Sequence, residues 1–358
     1  MFLLLLAALP AAAQTDGFTW VTLPDSRMEI DGLPWYAENG GHLFRLPSRL
    51  KDTLPPAVWN LSQSPSGGRI RFRTNTGKLA IRLEYPSAPN MTNMHAFGQT
   101  GVDLYLDGVY RGTAIANKDS KPGATVEKVY FDVSGRPAAM RDVTLYLPLY
   151  KGVEVLGIGV GKDAAIERPA GFALAKPVVF YGTSITQGGC ASRSGMSYQA
   201  MLGRMLNIDY VNLGFSGAGK GEAEVARAVA EVDAAAFVLD YAQNNGTLES
   251  LQAVYDPFIA ILREKHPNTP ILAITPIIQA GEALSGKNEM EAMRSHIRKV
   301  VSRRIAGGDA HLQLIEGTDL LGAQRLDGFV DGVHPNDLGF YWMAEGIAPR
   351  LARMLGLK

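Results

Sequence analysis

A chain of 358 residues, 46% hydrophobic and 20% charged, has enough apolar material for two domains. Lys plus Arg and Asp plus Glu number 35 each, so no long-range field favours nucleic acid or an anionic membrane as partner. The single cysteine, Cys190, excludes an internal disulfide framework and a thiolate metal cluster.

The chain begins "MFLLLLAALPAAAQ", an apolar run that ends in small residues. Residues 1–13 read as the remnant of a secretory signal peptide cut after Ala13, which places the mature protein outside the cytoplasm, secreted or periplasmic. The run is too short to span a bilayer and no cysteine follows it, so neither stable membrane insertion nor a lipid anchor is expected.

Residues 14–168 read as strands. "RIRFRTN" and "KLAIRLEY" alternate apolar and polar residues around a turn at Asn75–Gly77, and "GVDLYLDGVYRGTAIA" does so around a hairpin turn at Asp107–Gly108. "EKVYFDV", "RDVTLYLPLY" and "VEVLGIGVG" continue the pattern. The period predicts an all-β, jelly-roll-like antiparallel sandwich whose core holds Ile70, Phe72, Leu79, Ile81, Leu83, Val129, Phe131, Val143 and Leu145.

After a linker at 169–176 the texture changes. Residues 177–358 alternate short apolar runs ("PVVFYG", "DYVNLG", "AAAFVLDY", "TPILAIT", "HLQLIE") with helix-length amphipathic ones. This predicts a parallel five-stranded sheet with helices on both faces. In the last helix Phe340, Ala344, Ile347, Leu351 and Met354 share one side, and Gly356 ends it. Ligands of such sheets lie beyond the carboxyl ends of the strands. There the sequence places "GTSITQGG", "GFSGAGKG", "AQNNG", "PIIQAG" and finally "DGFVDGVHPND".

Those segments hold the parts of a hydrolytic acyl-transfer site. Ser184 stands where the first strand meets its helix, exposed to a reacting carbonyl. His334 can take its proton, and Asp331, on the tight "DGVH" turn, can bond the far ring nitrogen and fix the tautomer. Backbone N–H groups at Ser184 and Gly214 and the side-chain amide of Asn244 can serve a tetrahedral oxyanion.

Four of these segments, in order and spacing, resemble the signature blocks of SGNH (GDSL-type) hydrolases. The blocks are "GTSITQGG" with Ser184, "NLGFSG" with Gly214, "AQNN" with Asn244, and "DGVHP" with Asp331 and His334. "GVDLY", Gly101 to Tyr105, is similar to the signature of a sandwich domain that precedes one bacterial branch of these esterases. The resemblance implies a flavodoxin-like hydrolase domain, no cofactor, and a small-molecule or oligosaccharide ester as substrate, with carbohydrate deacetylation as the expected activity. Two positions depart from the family pattern: Thr183 stands where an Asp usually precedes the serine, and Asn244–Asn245 replaces Asn–Asp. The second leaves the register of the amide donor open between Asn244 and Asn245.

Other readings compete. A lipase, lysophospholipase or thioesterase would use the same residues on another acyl group. A non-catalytic carbohydrate-binding protein would not need the serine, aspartate and histidine. "GFSGAGKG" matches a phosphate-binding loop up to Lys220, but Gly221 follows where a Mg²⁺-binding hydroxyl is required. No His, Asp and Glu set has metal-ligand spacing, so no metal is expected. His266 is read as a helix cap, His296 as lying on a helix face and His311 as starting a strand. His42 and His95 lie in sandwich loops from which either could reach a substrate. Cys190 is read as a small apolar filler, and Arg193 and Tyr198 as helix start or core with substrate contact as the alternative.

Overall fold

Period-two alternation in the first half resolves into two antiparallel sheets. In the computed structural model, which describes residues 17–133, 139–286 and 290–357, ten strands build them; the leader read at residues 1–13 lies outside the described residues. The strands are β1 (Phe18–Val21), β2 (Glu29–Asp31), β3 (Arg69–Thr74), β4 (Lys78–Glu84), β5 (Val102–Leu106), β6 (Val109–Ala114), β7 (Thr125–Asp132), β8 (Arg141–Tyr146), β9 (Glu154–Gly161) and β10 (Ile166–Glu167). One sheet runs β1-β9-β4-β7; the other runs β10-β3-β8-β5-β6, with β2 added beside β3. Ile70, Phe72, Val143 and Leu145 from one sheet meet Leu79, Ile81 and Leu83 from the other, all at most 1% exposed.

Two details differ from the sequence reading. The Asn75–Gly77 turn does not close a hairpin: β3 and β4 lie in different sheets, so the turn carries the chain across the sandwich. Val129 and Phe131 are only half-buried, because β7 is an edge strand with a neighbour on one side alone. Alternation marks a pleated face but not how far the opposite sheet extends over it. The hairpin at Asp107–Gly108 forms as expected, joining β5 to β6.

The second half is a parallel sheet of β11 (Val178–Gly182), β12 (Tyr210–Gly214), β13 (Ala236–Asp240), β14 (Ile271–Ile274) and β15 (Leu312–Ile315), ordered β12-β11-β13-β14-β15. This is the flavodoxin-like order, with the switch in strand direction of growth at β11. Alternate residues of β11 serve two cores. Val179 and Tyr181 face the helices Ala223–Val229, Leu248–Lys265 and Glu291–Ala306, while Val178 and Phe180 face Tyr198–Leu206 and Asp337–Leu355. Phe340, Ala344, Ile347 and Leu351 are fully buried on the last of these helices, which Gly356 ends in the left-handed conformation.

The halves are joined by buried polar contacts as well as apolar ones. Trp35, Leu46, Leu54, Val58 and Trp59, from the excursion between β2 and β3, belong to the core of the parallel sheet. Arg45, fully buried in this excursion, donates to the carbonyls of Leu61, Ser64, Asn212 and Gly214, the last at 2.5 Å. The "GVDLY" motif is a second lock. Asp103, fully buried, accepts from Arg193 (3.1 Å), the Gly195 N–H (2.8 Å) and Thr113 (2.6 Å), and the Tyr105 hydroxyl accepts from Arg193 at 2.7 Å. Arg193 therefore holds the two halves together, and removing one member of so buried a pair costs about 3–5 kcal/mol.

Candidate active site

The serine and the segments facing it lie at the carboxyl ends of parallel strands, where the backbone leaves the sheet and its N–H groups lose their ladder partners. Ser184 opens a one-turn helix, Ser184–Gln187, directly after β11. Thr183, where the family pattern has Asp, caps that helix by accepting from the Ile185 N–H at 3.2 Å. The first position of a helix has a free N–H, so the Ser184 amide is available to a ligand. The Ser184 carbonyl is held by the N–H groups of Gly188 (3.0 Å) and Gly189 (2.9 Å) and by the Tyr150 hydroxyl of the sandwich half (3.2 Å). Burial pushes the Tyr150 phenol well above its ordinary range, so it remains a neutral donor.

His334 and Asp331 sit on a short turn between β15 and the last helix. The Asp331 Oδ1 accepts from the N–H groups of Val333 (3.0 Å) and His334 (2.8 Å), with Gly332 at φ +82° letting the turn close. The turn is pinned at its base by the Val330 N–H on the His334 carbonyl (2.9 Å) and at its exit by the Cys190 N–H on the Pro335 carbonyl (3.1 Å). This geometry brings Ser184 Oγ within 2.9 Å of His334 Nε2, and His334 Nδ1 within 2.8 Å of Asp331 Oδ2. Burial opposes ionisation of Asp331, yet the hydrogen bonds from Asn93, from the His334 ring and from the two turn amides outweigh it and hold its pKa well below the usual carboxylate range. A proton leaving the serine has a base in reach, and the base has a partner whose hydrogen bonds favour its ionised form.

The donors expected opposite the serine are rearranged at one position. Gly214 is not free: its N–H donates to Asn212 Oδ1 at 2.9 Å, and its carbonyl takes Arg45. Glycine is needed there for packing, since a Cβ would stand 2.2 Å from the Gln187 nitrogen. Three residues on, Gly217 has φ +67° and open space where a Cβ would point, and among the described residues no acceptor faces its N–H. The 215–217 segment lies against the serine's helix, with Phe215 N–H on the Gly182 carbonyl (3.0 Å) and Ser216 N–H on Gln187 Oε1 (2.9 Å). Asn244 reaches the same segment, donating from Nδ2 to the Phe215 carbonyl at 3.1 Å and keeping its second N–H. Asn245 is buried and turns back toward the Tyr241 carbonyl at 3.4 Å. The phosphate-loop reading keeps the Gly217 N–H and the Lys220 ammonium but loses the rest of its backbone cradle. Ala218 and Gly219 N–H groups bond the Phe215 carbonyl, Gly221 N–H bonds the Tyr181 hydroxyl, and Lys220 is exposed.

His266 bonds the Ala230 carbonyl at the end of its helix, and His95 caps the helix Ala96–Thr100. His42 stacks on Phe44 with ring centroids 5.2 Å apart. Tyr198 is core, packed against Phe180 and Phe340. Cys190 is buried, and burial together with the Asp331 charge pushes its thiol up to about 12. Its sulfur nonetheless stands with ligand atoms of Asp331 and His334, all within 4.8 Å of one another. The sequence could not show this group, because Cys190 and the "DGVH" turn are distant along the chain. Sequence reasoning also missed Asn93 and Tyr150, since both reach the site from sandwich loops without a motif of their own.

Behind the serine's helix lies a second unusual carboxyl. Burial raises Asp240, at the end of β13, to about 7, against which hydrogen bonds from Gln243 and Thr186 pull only weakly; its Oδ2 has no partner. A raised carboxylate is bound to its proton in the folded chain at pH values where the unfolded chain has released it. The contribution of Asp240 to stability is therefore greatest below the unfolded value of 3.8 and falls as pH rises to about 7. Asp240→Asn should flatten the fall in Tm between pH 5 and pH 8 and be more stable than wild type at the upper end. Parallel Tm-against-pH curves for the two proteins would contradict a buried, protonated Asp240.

A doubly covered parallel sheet in flavodoxin-like order, behind an antiparallel sandwich and bearing this site at its carboxyl edge, defines the SGNH class of acylhydrolases. The chain belongs to the GDSL-like lipase/acylhydrolase family. That family's profile matches residues 175–352, and the profile described as the N-terminus of the Esterase_SGNH_hydro type matches residues 18–166. A protein described as a GDSL-like lipase, from Bacteroides ovatus, shares 33% identity at TM-score 0.84, covering 95% of this chain and 99% of that one. SsfX3, a salicylyl-acyltransferase from a tetracycline biosynthetic pathway, shares 22% identity at TM-score 0.77, with 95% and 98% coverage. A family two carbohydrate esterase from Clostridium thermocellum, solved with cellohexaose, shares 16% identity at TM-score 0.61, with 81% and 93% coverage. The last two show likeness of fold. No curated protein matches the chain by sequence. No helix among the described residues is long and apolar enough to cross a membrane.

Proposed function

We propose that the protein is an exported serine esterase that removes short acyl groups, acetyl foremost, from carbohydrate. The observation that carries this is the hydrogen-bonded line Ser184–His334–Asp331, at 2.9 and 2.8 Å, beside unpaired donors at the neighbouring strand ends. Ser184 Oγ attacks the ester carbonyl as His334 Nε2 takes its proton. The oxyanion is met by the N–H groups of Ser184 and Gly217 and by the Asn244 amide. Collapse expels the alcohol, which leaves with the proton held by His334. Water then attacks the acyl-serine, giving its proton to His334 and releasing the acid and the free serine. Asp331 keeps the Nδ1–H tautomer and stabilises the imidazolium in both halves.

The substrate class draws on two supports. The carbohydrate esterase from Clostridium thermocellum has the same fold and was solved with a glucan oligosaccharide. Acylated polysaccharide lies outside the cell, where residues 1–13 would direct the chain. A second reading comes from SsfX3, alike over both halves: the same acyl-serine passes its acyl group to a hydroxyl acceptor instead of water. Acetylated oligosaccharides and p-nitrophenyl esters from acetate to palmitate should be compared directly. Acetate released from the sugars, with aryl activity falling as the acyl chain lengthens, is the expected result. Turnover confined to long-chain esters would replace the proposal with a lipase. Ester consumption that yields an acylated acceptor without free acid would replace it with a transferase.

A further inference from the structure

We propose that Asn93, on a loop of the sandwich half, is a positioning residue for the reaction, holding Asp331 in line with His334. This rests on the esterase reading above and extends it from the hydrolase half into its neighbour. The Asn93 Nδ2 donates to Asp331 Oδ2 at 2.8 Å, and the same oxygen receives His334 Nδ1 at 2.8 Å. Oδ1 is already occupied by two amides of its own turn. Each carboxylate oxygen thus accepts two hydrogen bonds, and Asn93 supplies the one that the turn cannot. With the second lone pair of Oδ2 filled, the carboxylate plane has no freedom to swing the bond to His334 out of line.

The loop that carries Asn93 is built for fixed placement. It lies between β4 and the helix Ala96–Thr100, and Gln99 of that helix, 2% exposed, spends its whole side chain on it. Gln99 Oε1 accepts from the N–H groups of Asn90 (2.9 Å) and Met91 (3.0 Å), and Nε2 donates to the carbonyls of Met91 (3.3 Å) and Met94 (2.6 Å). A buried amide with all four sites filled rigidifies what it holds. The Gln99 carbonyl accepts from Tyr150 and Lys151 N–H groups at 3.2 and 3.0 Å, and Lys151 Nζ bonds Asn90 Oδ1 at 2.8 Å. Tyr150 is the residue whose hydroxyl reaches the Ser184 carbonyl. One buried glutamine therefore sets two loops, of which one touches the backbone of the serine and the other the carboxylate behind the histidine.

The charged and titratable groups around Asp331 are few. His334 faces it from its own turn, and Cys190, a neutral thiol, from the segment after the serine's helix. His95 and Lys118 line the open groove that Asn93 and Val330 also border. No other donor is seated on Oδ2 among the described residues. A hydrogen bond to an ionised acceptor is stronger than a neutral one, and water in its place would bond without fixing the angle.

The test uses the full-length chain and the variants Asn93→Ala and Asn93→Asp. For Asn93→Ala, kcat should fall about tenfold with KM unchanged. In the same variant the carboxyl ¹³C titration of Asp331 should move to higher pH. Asn93→Asp, of equal size but with a second carboxylate in place of a donor, should fall further in kcat and move the titration further. Asn93 is partly exposed, so both variants should fold, with Tm lowered only by as much as the raised Asp331 titration requires. Wild-type kcat together with an unmoved Asp331 titration would overturn the proposal. So would a rise in KM at constant kcat, which would make Asn93 a substrate contact. The titration needs no substrate, so it reads the Asn93–Asp331 contact even if Ser184→Ala retains turnover and the esterase reading itself fails.

Discussion

Ser184→Ala eliminates ester turnover, with kcat reduced on the order of 10⁶-fold, the scale on which serine hydrolases lose activity when the nucleophile is removed. The size follows from what the side chain does. Without Oγ there is no acyl-enzyme, and His334 loses the group 2.9 Å away that it deprotonates. The backbone donors and binding surface remain, so a residue of catalysis over water, about 10³-fold, should persist. The fold should not notice the change. The helix is capped by Thr183, and the polar contacts of Ser184 to its surroundings are made by its carbonyl, with His334 as the one partner of Oγ. Steady-state p-nitrophenyl acetate turnover and labelling by a fluorophosphonate probe measure this directly. Retained turnover, or probe attached to another residue, would remove Ser184 from its role and the proposed reaction with it.

The serine, the histidine and the aspartate are legible in sequence for a local reason. Each lies within a few residues of the turn that aims it, so strand, turn and helix signals carry both identity and position. The glycines of "NLGFSGAGKG" show where such reasoning stops. Four fall within a few residues of one another, and nothing in the letters says which has a free N–H. Packing decides: Gly214 is pressed onto the serine's helix with its N–H spent on Asn212, while Gly217 is open at positive φ. Between Asn244 and Asn245, counting from the strand end favours Asn244, and the 3₁₀ turn directs the two amides differently, that of Asn244 to the Phe215 carbonyl and that of Asn245 to the Tyr241 carbonyl.

What lay furthest from sequence reasoning is the contribution of the sandwich half. "GVDLY" is visible as a motif, but its action is not, because Asp103 and Tyr105 act on Arg193, distant in the chain. Arg45 likewise supports the end of β12 through carbonyls and the Phe215 ring, contacts with no complementary charge to search for. Asn93, Gln99 and Tyr150 belong to loops whose composition is ordinary. Apart from Gln99, whose bonds stay within the sandwich half, these residues share a physical feature: hydrogen bonds between segments far apart, formed only once the two halves have packed together. The boundary that composition marks near residue 170 therefore does not separate the chemistry, since the site draws on loops from both sides of it.

The second large effect is expected at Asn244. Asn244→Ala should lower kcat by about 10²–10³-fold, equivalent to roughly 2.7–4 kcal/mol of transition-state stabilisation, the range for removing one donor to an oxyanion. Asn245→Ala should leave kcat near wild type, because its amide is buried and directed at the Tyr241 carbonyl. The pair discriminates between two registers that differ by one residue, and a large kcat loss at 245 with none at 244 would invert the assignment. The bond from Asn244 to the Phe215 carbonyl adds a second consequence. It ties the amide to the segment that presents Gly217, so removing the side chain loosens a neighbouring donor as well as deleting one. Asn244→Asp separates these contributions. An aspartate carboxylate in that place donates nothing and repels a developing oxyanion, so it should be at least as slow as alanine while KM for a neutral ester stays unchanged. A loss in Asn244→Ala that appears wholly in KM would mean that the amide binds the ground-state ester, and the hole would then rest on the two backbone N–H groups of Ser184 and Gly217.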